Sequence, residues 1–215
     1  MSRRAPTVGS SEEQDAPRWG VLAAAAAPVL LVGGWTLAAA RQPPTYDPRT
    51  DTLSALAAEG AIDRWIMTLT FAAIGLCYVL TAIALRLPAL PGRIALASGG
   101  VATILVATFP EPLGGTSDTH GVSATIASSA VAVWPALAAR HEPQVSWPLR
   151  PVASVTVSVV LIALLVWFVS ELQREMNAGL SERMAAGAEA LWVGLAAAAL
   201  RRSVLRRERA HDSRR

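Results

Sequence analysis

Three histidines and one cysteine are the only imidazole and thiol ligands the chain offers. His120 is the most suggestive of them. It follows Ser117 and Asp118, either of which suits the N-cap of a helix, so the ring falls in the first turn. The partial positive charge of a helix N-terminus disfavours imidazolium there. A neutral ring could accept a proton or bind a metal, although the residue type alone favours a hydrogen bond to a loop carbonyl. Asp51, Ser54, Asp63 and Arg64 lie close together upstream. A triad of Ser54, His120 and an acid is geometrically possible, but no G-x-S-x-G elbow supports it. Glu189 stands alone in an apolar run, roughly 8 Å deep counted from Met184. An acid at that depth costs up to a few kcal/mol in lipid unless it is neutral, paired or wet, which makes it a candidate for function. Its plainer role is a hydrogen bond to a serine or tryptophan of a neighbouring helix.

The elements that would position these residues are read from charge to charge. Of 215 residues, 53% are hydrophobic and only 16% charged, against about 25% in an ordinary soluble domain. Six apolar runs result: Trp19–Ala40, Trp65–Leu85, Ile94–Phe109, Gly121–Ala139, Pro151–Ser170 and Met184–Leu200. A bilayer core needs about 20 helical residues, with a range of roughly 17–25. Five runs meet that length; the third, one residue short, borrows from Pro91-Gly92, for a span of about 92–109, or sits in a locally thin patch. No period-two alternation marks a β-barrel. Only Glu189 puts a formal charge inside a run, which argues against a soluble bundle with charged outer helix faces. The expected fold is therefore an all-α, polytopic transmembrane bundle of six spans over 19–204. It is flanked by a disordered tail, 1–18, and a basic tail, 205–215, whose last residues from Ala210 are also expected to be disordered.

Orientation follows from arginine, since the chain has no lysine and all 19 basic residues are arginine. Fourteen arginines fall on the side of the two termini and five on the other. The positive-inside rule then places both termini in the cytoplasm. Loops one, three and five face outward with most of the acids. Cleavage of the first run as a signal peptide is disfavoured by its length and the polar residues before it. The C-terminal arginines suit anionic lipid headgroups, and nothing resembles a nucleic-acid recognition motif.

This topology removes most cofactor chemistry. His141 and His211 fall inside, so an outer metal site would have one histidine completed by carboxylates, an uncommon zinc sphere. No histidine lies within a span to ligate haem. There is no P-loop or dinucleotide fingerprint, and Cys77 reads as a small apolar residue in mid-helix. No cofactor or metal is expected. Asp63, Asp118 and Glu182 each lie near a helix N-terminus, where an anion is favoured without any function. Glu171, near a helix C-terminus, needs a partner, and Arg174 is the nearest. In the first loop, Thr50 or Asp51 could cap a short interfacial helix that Gly60 ends. Pro28 and Pro135 fall inside spans, where kinks are tolerated.

The segment Tyr46-Asp47-Pro48, Asp51-Thr52-Leu53-Ser54-Ala55-Leu56 and Asp63-Arg64-Trp65-Ile66-Met67-Thr68 resembles the start of domain-of-unknown-function family 998. Thr108-Phe109-Pro110 with His120, and Trp134-Pro135, are similar to its later motifs. The resemblance spans roughly Trp19 to Arg202. It implies a small bacterial six-helix membrane protein, and the lysine-free composition is similar to actinobacterial members. It implies no established activity, and its matching polar positions are Asp51, Ser54, Asp63, Arg64 and His120. Three roles stay open: an accessory or binding protein with a polar outer face, taking a protein partner or a lipid-like ligand; an enzyme acting on a lipid or cell-envelope substrate there; and a small-solute transporter. The scarcity of charge within the spans weakens the third. The enzyme requires Ser54, His120 and an acid within hydrogen-bond reach; the binder lets them disperse into local caps and pairs.

Overall fold

A computed structural model describes residues 16–112, 114–142 and 145–213. The expected disordered tail therefore lies almost wholly outside the described residues. What is described is helical: α1 (Arg18–Ala39), a short α2 (Leu53–Ala57), α3 (Trp65–Ala84), α4 (Leu90–Thr108), α5 (Asp118–Leu137), α6 (Pro151–Arg174) and α7 (Ala178–Asp212), with a 3-10 turn at Trp147–Leu149. Among the described residues there is no strand, only an isolated bridge between Glu59 and Pro112.

The helices follow the apolar runs, and the departures at their ends have local causes. α4 starts at Leu90, with a proline in its first turn, where the missing N–H costs nothing. α6 continues past Ser170 to Arg174 because Glu171 finds partners. α7 continues past Leu200 to Asp212, so the tail expected to be disordered from Ala210 is helical over its first residues. Arginine is a good helix former, and nothing between Arg201 and Asp212 breaks the helix. The short helix in the first loop is capped by Thr52, whose Oγ1 accepts from Ala55 N at 3.0 Å, and not by Thr50 or Asp51. It ends at Ala57, before Gly60, whose φ of 95° makes a turn open to glycine.

Consecutive long helices are antiparallel neighbours, and α7 returns to α1, so the six close into a ring in chain order. Close backbone approaches set the packing. A Cβ on Gly75 of α3 would stand 2.5 Å from the Gly100 carbonyl oxygen of α4. A Cβ on Gly92 of α4 would meet Ala138 at 2.5 Å. Such small-residue contacts let helices meet without long side chains. At one end of the ring lie Ala16, Ala84, Ala89, Ala138 and Arg201, joined by bonds such as Ala89 N–H to Ala138 O at 3.2 Å and Arg201 Nη1 to Ala16 O at 3.2 Å. The first and third loops and the α6–α7 turn gather at the other end.

The apolar side chains are distributed inside out. Alanines such as Ala24, Ala27, Ala190 and Ala197 are fully buried, whereas Val29, Leu69, Val152 and Val166 are 59–81% exposed. A water-soluble fold rarely leaves so much contiguous apolar surface bare. Five helices, α1, α3, α4, α6 and α7, are long and apolar enough to cross a membrane. The remaining run forms α5, 20 residues long, whose most apolar stretch falls short of what the other five reach. Asp118, His120 and the hydroxyls of Ser123, Ser128 and Ser129 dilute it.

Candidate functional site

Loop one (40–64) is strapped onto the start of α7. Arg183 Nη1 donates to Pro48 O (3.0 Å), Asp51 O (2.9 Å) and Gly179 O (2.7 Å), and its Nη2 donates to the Tyr46 hydroxyl. Leu180 N–H reaches Arg49 O at 3.0 Å. Gly179 makes the approach possible, since a Cβ there would stand 2.2 Å from Asp51 O. Burial raises the Tyr46 phenol above its ordinary range, while the Arg183 guanidinium pulls it back. Loop one also joins loop three, through Glu59 N–H to Glu111 O at 2.7 Å. The outcome is a polar cap over one end of the bundle.

His120 sits beneath this cap, 2% exposed, at the start of α5. Ser117 is the N-cap, accepting from His120 N at 3.4 Å, as the sequence predicts. The ring Nδ1 lies 2.9 Å from Phe109 O. A carbonyl only accepts, so Nδ1 carries a proton. Nε2 is then the atom that faces Ser54 Oγ, at 3.0 Å. Ser54 comes from α2, so this contact joins the cap to the bundle across 66 residues of chain. Two carboxyl groups complete the surroundings. Glu111 Oε1 is 3.8 Å from Nε2. Glu182 accepts from the N–H of Leu53, the residue before Ser54.

With an uncharged ring, Nε2 can accept the Ser54 proton, which is the arrangement of a serine beside its general base. The ring is oriented by a backbone carbonyl where a triad uses a carboxylate. The same contacts also describe a latch: the two hydrogen-bonding ends of Ser54 and Leu53 fix the first turn of α2 to α5 and α7. Leu53 and Leu56, each 1% exposed, close the space around them.

The other predicted residues are placed differently. Asp51 accepts from Asp47 N at 2.8 Å and shapes the loop. Asp63, at φ 49°, pairs with Arg41 at 3.0 Å and accepts from Trp65 Nε1 at 3.3 Å. Arg64 Nε donates to Ala57 O at 3.2 Å. All three hold the cap together locally. Glu189 is apart from the cap. It lies seven residues beyond Glu182 on α7, 5% exposed, and its Oε1 has no hydrogen-bond partner among the described residues. Its expected serine or tryptophan donor is absent there: Trp134 Nε1 and Trp192 Nε1 are also buried without partners. Glu171 does pair with Arg174, at 3.9 Å, but its closer contacts are Asn177 N (3.0 Å) and Nδ2 (3.1 Å).

Sequence reasoning passes over Glu111, Glu182 and Arg183. Position near a helix N-terminus already accounts for Glu182, and nothing local shows that loop one folds back onto it. Among the described residues, no group of three or more His, Cys, Asp or Glu is placed to hold a metal ion. The sequence model of a family described as a protein of unknown function, DUF998, matches residues 24–199, most of the chain. No curated protein and no solved structure matches it.

Proposed function

The chain belongs to the DUF998 family, and on that premise we propose that it is a six-span protein of the bacterial cell membrane, with both termini in the cytoplasm, that works as an accessory or binding protein through its extracytoplasmic cap. The sixth span is α5, whose length and place in the ring between α4 and α6 support its crossing. The hydroxyls that dilute its apolarity include Ser123, which is buried and bonds its own helix at Thr119 O, 2.7 Å away, and so needs no water. Arginine supports the orientation, as the positive-inside bias requires.

The observation that carries the binding role is the way the cap is secured. Arg183 alone makes four contacts to it or beneath it. Ser54 and His120 are occupied with each other, and the ring also with Phe109. A surface held this firmly can present Thr45, Glu59 and Asp118, all exposed, to a partner at low ordering cost.

A second reading rests on one distance, the 3.0 Å between Ser54 Oγ and His120 Nε2. It makes the protein an enzyme on a lipid or cell-envelope substrate, with Ser54 as nucleophile and His120 as base. His120 is 2% exposed, so α2 would have to lift to admit substrate. Complementation of a deletion strain separates the two. The binding role predicts that Thr45→Arg with Glu59→Arg abolishes function at normal protein level, while Ser54→Ala keeps it. Loss of function in Ser54→Ala alone, with covalent labelling of Ser54 by a fluorophosphonate probe, would select the enzyme.

A further inference from the structure

At the end of the bundle opposite the cap, a cavity of about 380 Å³ opens between the α3–α4 turn, residues 140–142 and 145–149, and α7. That volume is within the roughly 300–1,000 Å³ of ordinary ligand sites. Arg86, Arg140 and Arg207 line it, with Glu142 the only acid. We propose that this cleft binds a phosphoryl anion, supplied as the headgroup of an anionic membrane lipid.

The arginines at this end do not all serve one purpose. Arg93 is spent on the last carbonyls of α3, donating to Ala82 O at 2.9 Å and Ile83 O at 3.3 Å. Arg140 is held in place by its Nε, which donates to Leu87 O at 2.9 Å, and by its backbone N–H to Leu149 O at 2.8 Å. Its Nη1 faces Glu142 Oε1 at 3.3 Å, a pair whose side chains are 38% and 62% exposed. Arg86 is exposed and makes no hydrogen bond or ion pair among the described residues. Arg86 and Arg140 against the one carboxylate of Glu142 leave the cleft with an excess positive charge, and guanidinium forks match phosphoryl oxygens in pairs. Glu142, on an exposed loop, acts as an internal stand-in that an incoming anion displaces.

Lipid is favoured over a soluble phosphate by what borders the cleft. Leu149 and Leu200, buried, form its apolar floor. Trp147, next to Ser146 in the lining, is 51% exposed and packs edge-on to Trp192 with ring centroids 5.6 Å apart. An exposed tryptophan of this kind marks headgroup level. The site needs neither the cap nor the assigned orientation, so it stands or falls separately from the proposed function.

The test titrates the purified full chain in a non-ionic detergent with phosphatidylglycerol, phosphatidylcholine and inorganic phosphate, read by native mass spectrometry and by thermal shift. Phosphatidylglycerol should bind and raise the melting temperature, and phosphatidylcholine should not. Arg86→Gln should weaken phosphatidylglycerol binding about tenfold, the loss of one charge-assisted contact. Arg86→Lys should recover part of it, and Arg209→Gln, in α7 but outside the lining, should stay within twofold of the native chain. Inorganic phosphate should compete only weakly; if it binds as tightly as the lipid and also depends on Arg86, the phosphoryl site holds but its ligand is soluble. Equal binding of the two lipids, or equal losses in Arg86→Gln and Arg209→Gln, would overturn the proposal.

Discussion

His120 is held by one contact on each ring nitrogen, and the two contacts do different work. Phe109 O fixes which nitrogen carries the proton, and Ser54 joins the ring to the cap. Replacing His120 with Ala leaves the Phe109 carbonyl and the Ser54 hydroxyl without their partner. It should destabilise the fold by about 1–3 kcal/mol, seen as a lower melting temperature in nanodiscs. Ser54→Ala removes a smaller group and should cost about 1 kcal/mol, with faster amide hydrogen exchange over 50–60. Gly179→Ala should loosen the cap from α7, because its Cβ would stand 2.2 Å from a carbonyl oxygen. An overpacking cost of about 1–3 kcal/mol is expected, again confined in exchange data to loop one. Unchanged exchange in loop one for all three variants would show that the cap is not latched there. Ser54 and His120 were legible because a serine and a histidine at helix starts on the same side are visible in a linear chain. Their partners were not: Glu182 and Arg183 gain their role only when loop one folds over 120 residues of intervening chain.

The helices were legible almost in full, because each apolar run is closed by an arginine, an acid or a proline. Their ends were less so. Pro91 reads as a boundary but sits inside the first turn of α4, and the arginine-rich stretch after Leu200 reads as a tail but continues α7. Glu189 is a related case. Depth along a helix is countable from sequence, but the direction in which the side chain turns is fixed by neighbours, and this one is buried within the bundle. Packing between helices depends on single glycines that an alanine-rich sequence does not distinguish. Gly75 meets the backbone of α4, whereas Gly33 has nothing within 4 Å of where a Cβ would stand. Gly75→Ala should therefore lower the melting temperature, by about 1–3 kcal/mol of stability, and Gly33→Ala should leave it unchanged or slightly raised. Equal effects of the two would contradict the helix pairing described.

As a whole the molecule is a bundle whose helices meet through small residues and carry much of their valine, leucine and isoleucine on the outer face, with two ends made from different chemistry. The cap end gathers acids and short hydrogen bonds, while the other end gathers arginines and an open cleft. The binding role of the cap depends on that polarity being aligned across a membrane, with the cap outside. The most direct test is labelling of intact cells with a membrane-impermeant maleimide. The native thiol, Cys77, is buried in α3 and gives little background. A cysteine at Pro44, exposed in the cap loop, should label in intact cells. A cysteine at Arg86, exposed at the opposite end, should label only after the cells are permeabilised. Labelling of the Arg86 position in intact cells, with the Pro44 position protected until permeabilisation, would contradict the account.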